Sequence, residues 1–228
     1  MLNVRYSAVV TDVNDAYGVF GSVAPGDSID GIIRYSLPAP PPDYADPTFA
    51  TYTFPVTAGG STLMTANLGS LSFQSIQNVI VQVYNTEDPN SPPDSLYGND
   101  FQFIDGDTSH LRTTGLPSGF SLGSLGTDIG FFATDPSLID FPNAPSTLLP
   151  LEQYDSYFTG GLLDVHIIDA NGHLAGYAGI DFQLISLTSV PEPSSALLAG
   201  LALPLIVAWA RRSRPVQKRL APHPGAPG

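Results

Sequence analysis

The chain predicts an all-β fold: an antiparallel β-sandwich or jelly-roll-like domain followed by a single C-terminal transmembrane helix. Three observations carry that reading. Short apolar or alternating stretches recur between proline- and glycine-rich turns; no segment before residue 190 repeats its apolar residues at the helical period; and one uncharged run near the C-terminus is bounded by arginines.

The strand candidates follow in order. Val4 to Val13 and Ser28 to Ser36 alternate apolar with polar or small residues, as a half-buried strand does. Thr48 to Val56, Leu71 to Phe73, Asn78 to Tyr84 and Asp100 to Ile104 are rich in β-branched and aromatic side chains that suit a pleated surface. Thr127 to Ala133, Gly161 to Ile168 and Leu174 to Leu187 complete the set. Proline and glycine punctuate them in the runs Pro38 to Asp43, Glu87 to Asp94 and the glycine-spaced Gly115 to Gly126. Asp169-Ala170-Asn171-Gly172 joins two apolar stretches and carries an Asn-Gly pair able to take positive φ, which predicts a hairpin. Residues 1–189 are long enough for one domain with a sizeable core.

From Ser194 to Ala210 there is no charged residue. About 17 residues at 1.5 Å rise is the short end of what crosses a hydrocarbon layer as a helix. Pro204 inside the run is tolerated in a membrane helix and costly in a soluble one, and Trp209 suits the headgroup region. Arg211, Arg212, Arg214, Lys218 and Arg219 follow at once. Basic residues beside a span stay cytoplasmic, so the chain before it is expected outside and residues 215–228 form a disordered cytoplasmic tail.

Val190-Pro191-Glu192-Pro193-Ser194, the apolar run and Arg211-Arg212-Ser213-Arg214 together resemble the PEP-CTERM sorting signal of exported proteins in Gram-negative bacteria that make extracellular polysaccharide. The resemblance covers residues 190–214 and implies that the chain is the substrate of an exosortase, a membrane transpeptidase-like protease. On that footing Val190, Pro191, Glu192 and Pro193 are recognition residues, and Arg211, Arg212 and Arg214 are the basic cluster that stops the span. An export leader is expected to accompany such a tail. Met1 to Tyr6 reads instead as a strand, so the leader is expected upstream of a misassigned start. A second resemblance, to the opening of many PEP-CTERM exported domains, lies in Gly26-Asp27-Ser28-Ile29-Asp30-Gly31-Ile32-Ile33-Arg34-Tyr35, where a Gly-Asp turn starts a strand ending in tyrosine.

Charge separates the two parts. Residues 1–190 hold 20 acidic residues, 18 of them Asp, against Arg5, Arg34 and Arg112 and no lysine, a net charge of −17 that argues against nucleic acid as a partner. Cysteine is absent, so neither disulfides nor thiolate ligands are available.

Candidate chemistry is sparse. Asp12-Val13-Asn14-Asp15, Asp105-Gly106-Asp107 and Asp169-Ala170-Asn171-Gly172 each gather oxygen ligands of the kind calcium takes, but none completes a calcium loop, and turn chemistry explains each equally well. Asp164 and His166 share a strand face by period two, with Asp169 near on the following turn. Gly-x-Ser-x-Gly and His-Glu-x-x-His are both absent, and no carboxylate pair stands out for glycoside hydrolysis. The aromatics Tyr35, Tyr44, Phe49, Tyr52, Phe54, Tyr84, Tyr154, Tyr157 and Phe158 are core by default, with a sugar-stacking row as the alternative.

The expectation is therefore a non-enzymatic, exported cell-envelope or extracellular-matrix protein with a structural or adhesive role. Its expected partners are exosortase and the export machinery, the membrane through residues 194–210, and extracellular polysaccharide. No catalytic residue, metal site or cofactor is expected. The alternatives are a carbohydrate- or calcium-binding surface module and a secreted hydrolase.

Overall fold

The computed structural model describes residues 1–57, 60–86, 96–133, 141–156 and 159–190. Its strands are β1 (Leu2–Asn14), β2 (Ser28–Tyr35), β3 (Tyr44–Ala45), β4 (Phe49–Pro55), β5 (Leu63–Leu68) and β6 (Leu71–Gln74). They continue with β7 (Asn78–Thr86), β8 (Leu96–Gly106), β9 (Ser121–Ala133), β10 (Gly160–Ile168) and β11 (Leu174–Ser189). The described residues form an all-β, antiparallel structure, and among them no helix is long and apolar enough to cross a membrane. The expected span, residues 194–210, lies outside the described residues.

Every strand candidate appears, with ends displaced by a few residues, and two strands join them. β5 escapes sequence reading because its buried positions are Met64, Ala66 and Leu68, none of them β-branched or aromatic. β3 is only two residues long, too short for any periodicity. The stretch read as a glycine-spaced turn is in part strand, since β9 begins at Ser121. The reason is close packing: a Cβ at Gly123 would lie 2.9 Å from Ile168, and one at Gly126 would lie 3.2 Å from Asp164, both on β10.

The two expected layers come from one sheet, ordered β3-β4-β7-β8-β9-β10-β11-β1-β2-β5-β6. Register shifts interrupt β1 against β11 at Ser7/Ala8 and Val10/Asp12, and β8 against β9 at Phe103/Gly106. Such bulges bend a strand and raise its twist, so a long sheet curls instead of lying flat. The curl brings its ends together. Ser75, just past β6, bridges to Gly106 at the end of β8. Tyr35 of β2 lies 4.4 Å from Phe54 of β4 and 6.2 Å from Phe101 of β8, measured between ring centroids.

The core fills this half-barrel from the inward-facing positions of its strands. Val4, Tyr6, Ala8 and Val10 point inward from β1, and Val79, Val81 and Val83 from β7. Tyr6 reaches across β2, where Gly31 leaves room for its ring, and donates to the Thr65 carbonyl at 2.7 Å. Tyr35, fully buried, donates to the Pro145 carbonyl at 2.6 Å and so satisfies its polar end. The folded unit runs from Met1 to Val190, whose amide donates to Asn3 O at 2.8 Å.

Candidate functional site

The outer face of β7, β8 and β9 carries the densest polar network. Phe101 and Phe103 point into the core, so Asp100 and Gln102 between and beside them point out. Register places Gln82 opposite Asp100 and Gln102 opposite Asp128. The Gln102 amide donates to Asp100 Oδ2 at 2.7 Å and to Asp128 Oδ2 at 3.0 Å, with Gln82 Oε1 at 3.4 Å. The Tyr84 hydroxyl donates to the same Gln82 oxygen at 2.5 Å.

Asp100 is only 4 % exposed although it faces away from the core. Its cover is Phe132, whose ring lies across Gly98 and Gly130: a Cβ on either glycine would come within 2.4 Å of that ring. Burial disfavours the charged form, and Asp128 both hydrogen-bonds to Asp100 and repels a second charge. These causes push the Asp100 carboxyl up to about 9. The pair therefore holds a proton at neutral pH. Asp100 Oδ1 is buried and has no hydrogen-bond partner. Desolvation, with these two carboxyls nearby, pushes the Tyr84 hydroxyl up to about 12. Chemically this is a carboxyl pair of the kind general acids use. Asp100 is the buried member of the pair, and Asp128 is half-buried.

Aromatic rings continue from that cover along the same face. Phe132 meets Tyr84 at 5.6 Å, Tyr84 meets Phe49 at 5.1 Å, and Phe49 meets Tyr44 at 6.1 Å. The rings are inclined to one another by 45–65°, so they pack as a ridge and do not form a flat platform. Tyr35, Tyr52, Phe54 and Tyr154 are core, while Tyr157 and Phe158 lie outside the described residues.

Asp164 and His166 do share the outer face of β10, with His166 Nε2 4.0 Å from Asp164 Oδ2. Ser124 Oγ lies 3.0 Å from His166 Nδ1, a contact the sequence did not signal. These three resemble a nucleophile, base and orienting acid in type only. At 4.0 Å the carboxylate makes no hydrogen bond that could hold the ring, and Ser124 and His166 stand on an open sheet surface. Burial raises the Asp164 carboxyl from its ordinary value, partly opposed by His166. Asp169 is not drawn to them. Its Oδ1 accepts the amides of Asn171 at 2.8 Å and His173 at 2.9 Å, which closes the hairpin turn and holds its carboxyl below the usual range.

The other acidic turns are spent in the same way. Asp15 accepts the amides of Val19 and Phe20, and Asp107 accepts the amide and hydroxyl of Ser109. Among the described residues no group of three or more His, Asp or Glu is placed to hold a metal ion. Val190 ends the described chain; Pro191, Glu192, Pro193, Arg211, Arg212 and Arg214 lie outside it.

Fold and surface thus define an acidic, single-sheet all-β domain with the close carboxyl pair Asp100 and Asp128 on its outer face. No family model, curated protein or solved structure matches the chain.

Proposed function

We propose that this chain is an exported cell-envelope or extracellular-matrix protein of a Gram-negative, polysaccharide-producing bacterium, sorted through a PEP-CTERM signal and serving a structural or adhesive role. The observation that carries the reading is the order of the tail: Pro191-Glu192-Pro193, the uncharged run to Ala210, then Arg211, Arg212 and Arg214. The folded unit ends at Val190, and the motif begins at the next residue in the sequence. In this reading residues 194–210 cross the membrane, the C-terminus is cytoplasmic, and exosortase releases or re-anchors a sandwich-like domain at the cell surface. In this reading the role is not catalytic, in keeping with Asp15 and Asp169 being engaged with backbone amides.

Mass spectrometry of the protein from cells with and without exosortase tests this. A C-terminus shortened to the neighbourhood of Pro191 only where exosortase is present is the expected result. A full-length C-terminus in both would overturn it.

A further inference from the structure

We infer that the oxygens of Asp100, Asp128, Gln82 and Gln102, gathered on the outer face of β7, β8 and β9, form a calcium site. Its centre is marked by the Gln102 amide nitrogen, which sits 2.7 Å from Asp100 Oδ2, 3.0 Å from Asp128 Oδ2 and 3.4 Å from Gln82 Oε1. A cation in the place of that nitrogen meets oxygens from three adjacent strands at once. Gln102 has a flexible stem and yields by turning its amide, so that Oε1 faces the cation as a fourth ligand. Calcium holds oxygen at roughly 2.3–2.6 Å, so each of the three contacts has to close by less than about 1 Å. Calcium also accepts carboxamide oxygens beside carboxylates, so a third acidic ligand is not required.

Two further observations point to a positive ligand. Asp100 is 4 % exposed, and its Oδ1 is buried without a hydrogen-bond partner, on the same carboxyl that contacts Gln102 and Asp128. A buried acceptor left unpaired is costly, and a cation held by both oxygens of the carboxylate removes that cost. The second observation is the absence of a counter-charge on these strands. β7, β8, β9 and β10 contain neither lysine nor arginine, and the only base on them, His166, faces Asp164 at 4.0 Å. Asp164 is itself close enough to Asp128 for the two carboxyls to repel each other.

The donor set selects the ion. Carboxylate and carboxamide oxygens suit hard cations, whereas zinc and copper favour nitrogen and sulfur. Two carboxylates match a divalent charge. Three unequal distances fit calcium, whose shell of roughly six to eight oxygens is irregular, better than magnesium, which demands a near-ideal octahedron. Water completes the shell from the side of half-buried Asp128, while the Phe132 ring covers the side of Asp100.

The test uses the full chain in a zwitterionic detergent, stripped with EDTA and titrated calorimetrically with calcium chloride. Binding is expected with a Kd on the order of 10⁻⁴–10⁻³ M, the range of extracellular calcium modules. Asp128→Asn and Asp100→Asn are each expected to weaken it about tenfold or more, since each removes one of the two ligand charges. Asp107→Asn, in the turn after β8, is expected to leave it unchanged. Terbium, which takes the same oxygen ligands, gives a second reading. Tyr84 donates to the Gln82 oxygen of the site, so terbium emission excited through tyrosine is expected to fall in Tyr84→Phe. No heat of binding at millimolar calcium, magnesium bound as tightly as calcium, affinity that survives both aspartate substitutions, or terbium emission unchanged in Tyr84→Phe would overturn the proposal. The site belongs to the folded unit alone, so its failure leaves the sorting proposal standing, and the reverse.

Discussion

At Asp100, burial and charge oppose each other, and the proton decides the outcome. Its carboxyl has an ordinary value of 3.8 and is raised to about 9 in the fold. As pH rises from about 4 the unfolded chain releases a proton that the folded chain keeps, so this group's contribution to stability is complete below 3.8 and is lost progressively up to about 9. Asn in its place keeps an acceptor for Gln102 and offers a donor to Asp128 without any proton to lose. Asp100→Asn should therefore match the parent near pH 4 and gain on it by about 1 kcal/mol or more between pH 5 and pH 7, read from urea midpoints across pH. A pH-independent gap would show that the pair holds no proton. The sequence did not reveal this pair, because Gln102 meets Asp128 only through the β8–β9 register across an intervening loop. The Gly26 to Tyr35 run was legible, since its turn and strand are local: Gly26 has φ 98° and Asp27 accepts the Ala24 amide at 3.0 Å. What lay hidden there is Gly31, where a Cβ would stand 2.2 Å from both the Tyr6 ring and the Thr65 carbonyl. Gly31→Ala should cost about 1–3 kcal/mol, visible as a lowered urea midpoint, because the overlap displaces a buried ring and its hydrogen bond.

Strands with β-branched or aromatic inward positions were readable from their own residues, as in β7, where Val79, Val81 and Val83 are buried. Those supported by their neighbours were not: β5 buries Met64 and Ala66, and β9 carries glycines that make sense only beneath β10. The β10–β11 hairpin belongs to the first kind. Gly172 takes φ 82°, its amide donates to Asp169 O at 3.0 Å, and the Asp169 amide donates to His173 O at 2.8 Å. Gly172→Val puts a β-branched residue in the left-handed region at a cost of about 1–2 kcal/mol. A Cβ there meets nothing within 4 Å, so the loss is conformational strain alone. Gly172→Asn should recover part of it in the same thermal melts, since Asn tolerates that region better than Val. Equal losses for Asn and Val would point to a contact in place of strain.

Across the whole molecule, charge is divided more sharply than structure. The folded unit carries its acids without a single lysine, and the chain's one lysine, Lys218, follows the arginine cluster. A sorting event at the Pro191-Glu192-Pro193 motif would remove five of the eight basic residues, Lys218 among them. The domain left behind would have a net charge near −17 and no side-chain amine, a surface that repels anionic polymers at long range and resists reagents directed at lysine. Labelling with an amine-reactive dye, followed by peptide mapping, reads this directly. The unprocessed precursor is expected to carry dye at Lys218 as well as at its N-terminal amine. Protein recovered from the surface of exosortase-positive cells should carry none on a side chain, and deleting exosortase should restore the Lys218 label. Surface protein that retains a labelled Lys218 in exosortase-positive cells would instead describe a single-pass membrane protein whose tail is never removed, with the same β domain held on its anchor.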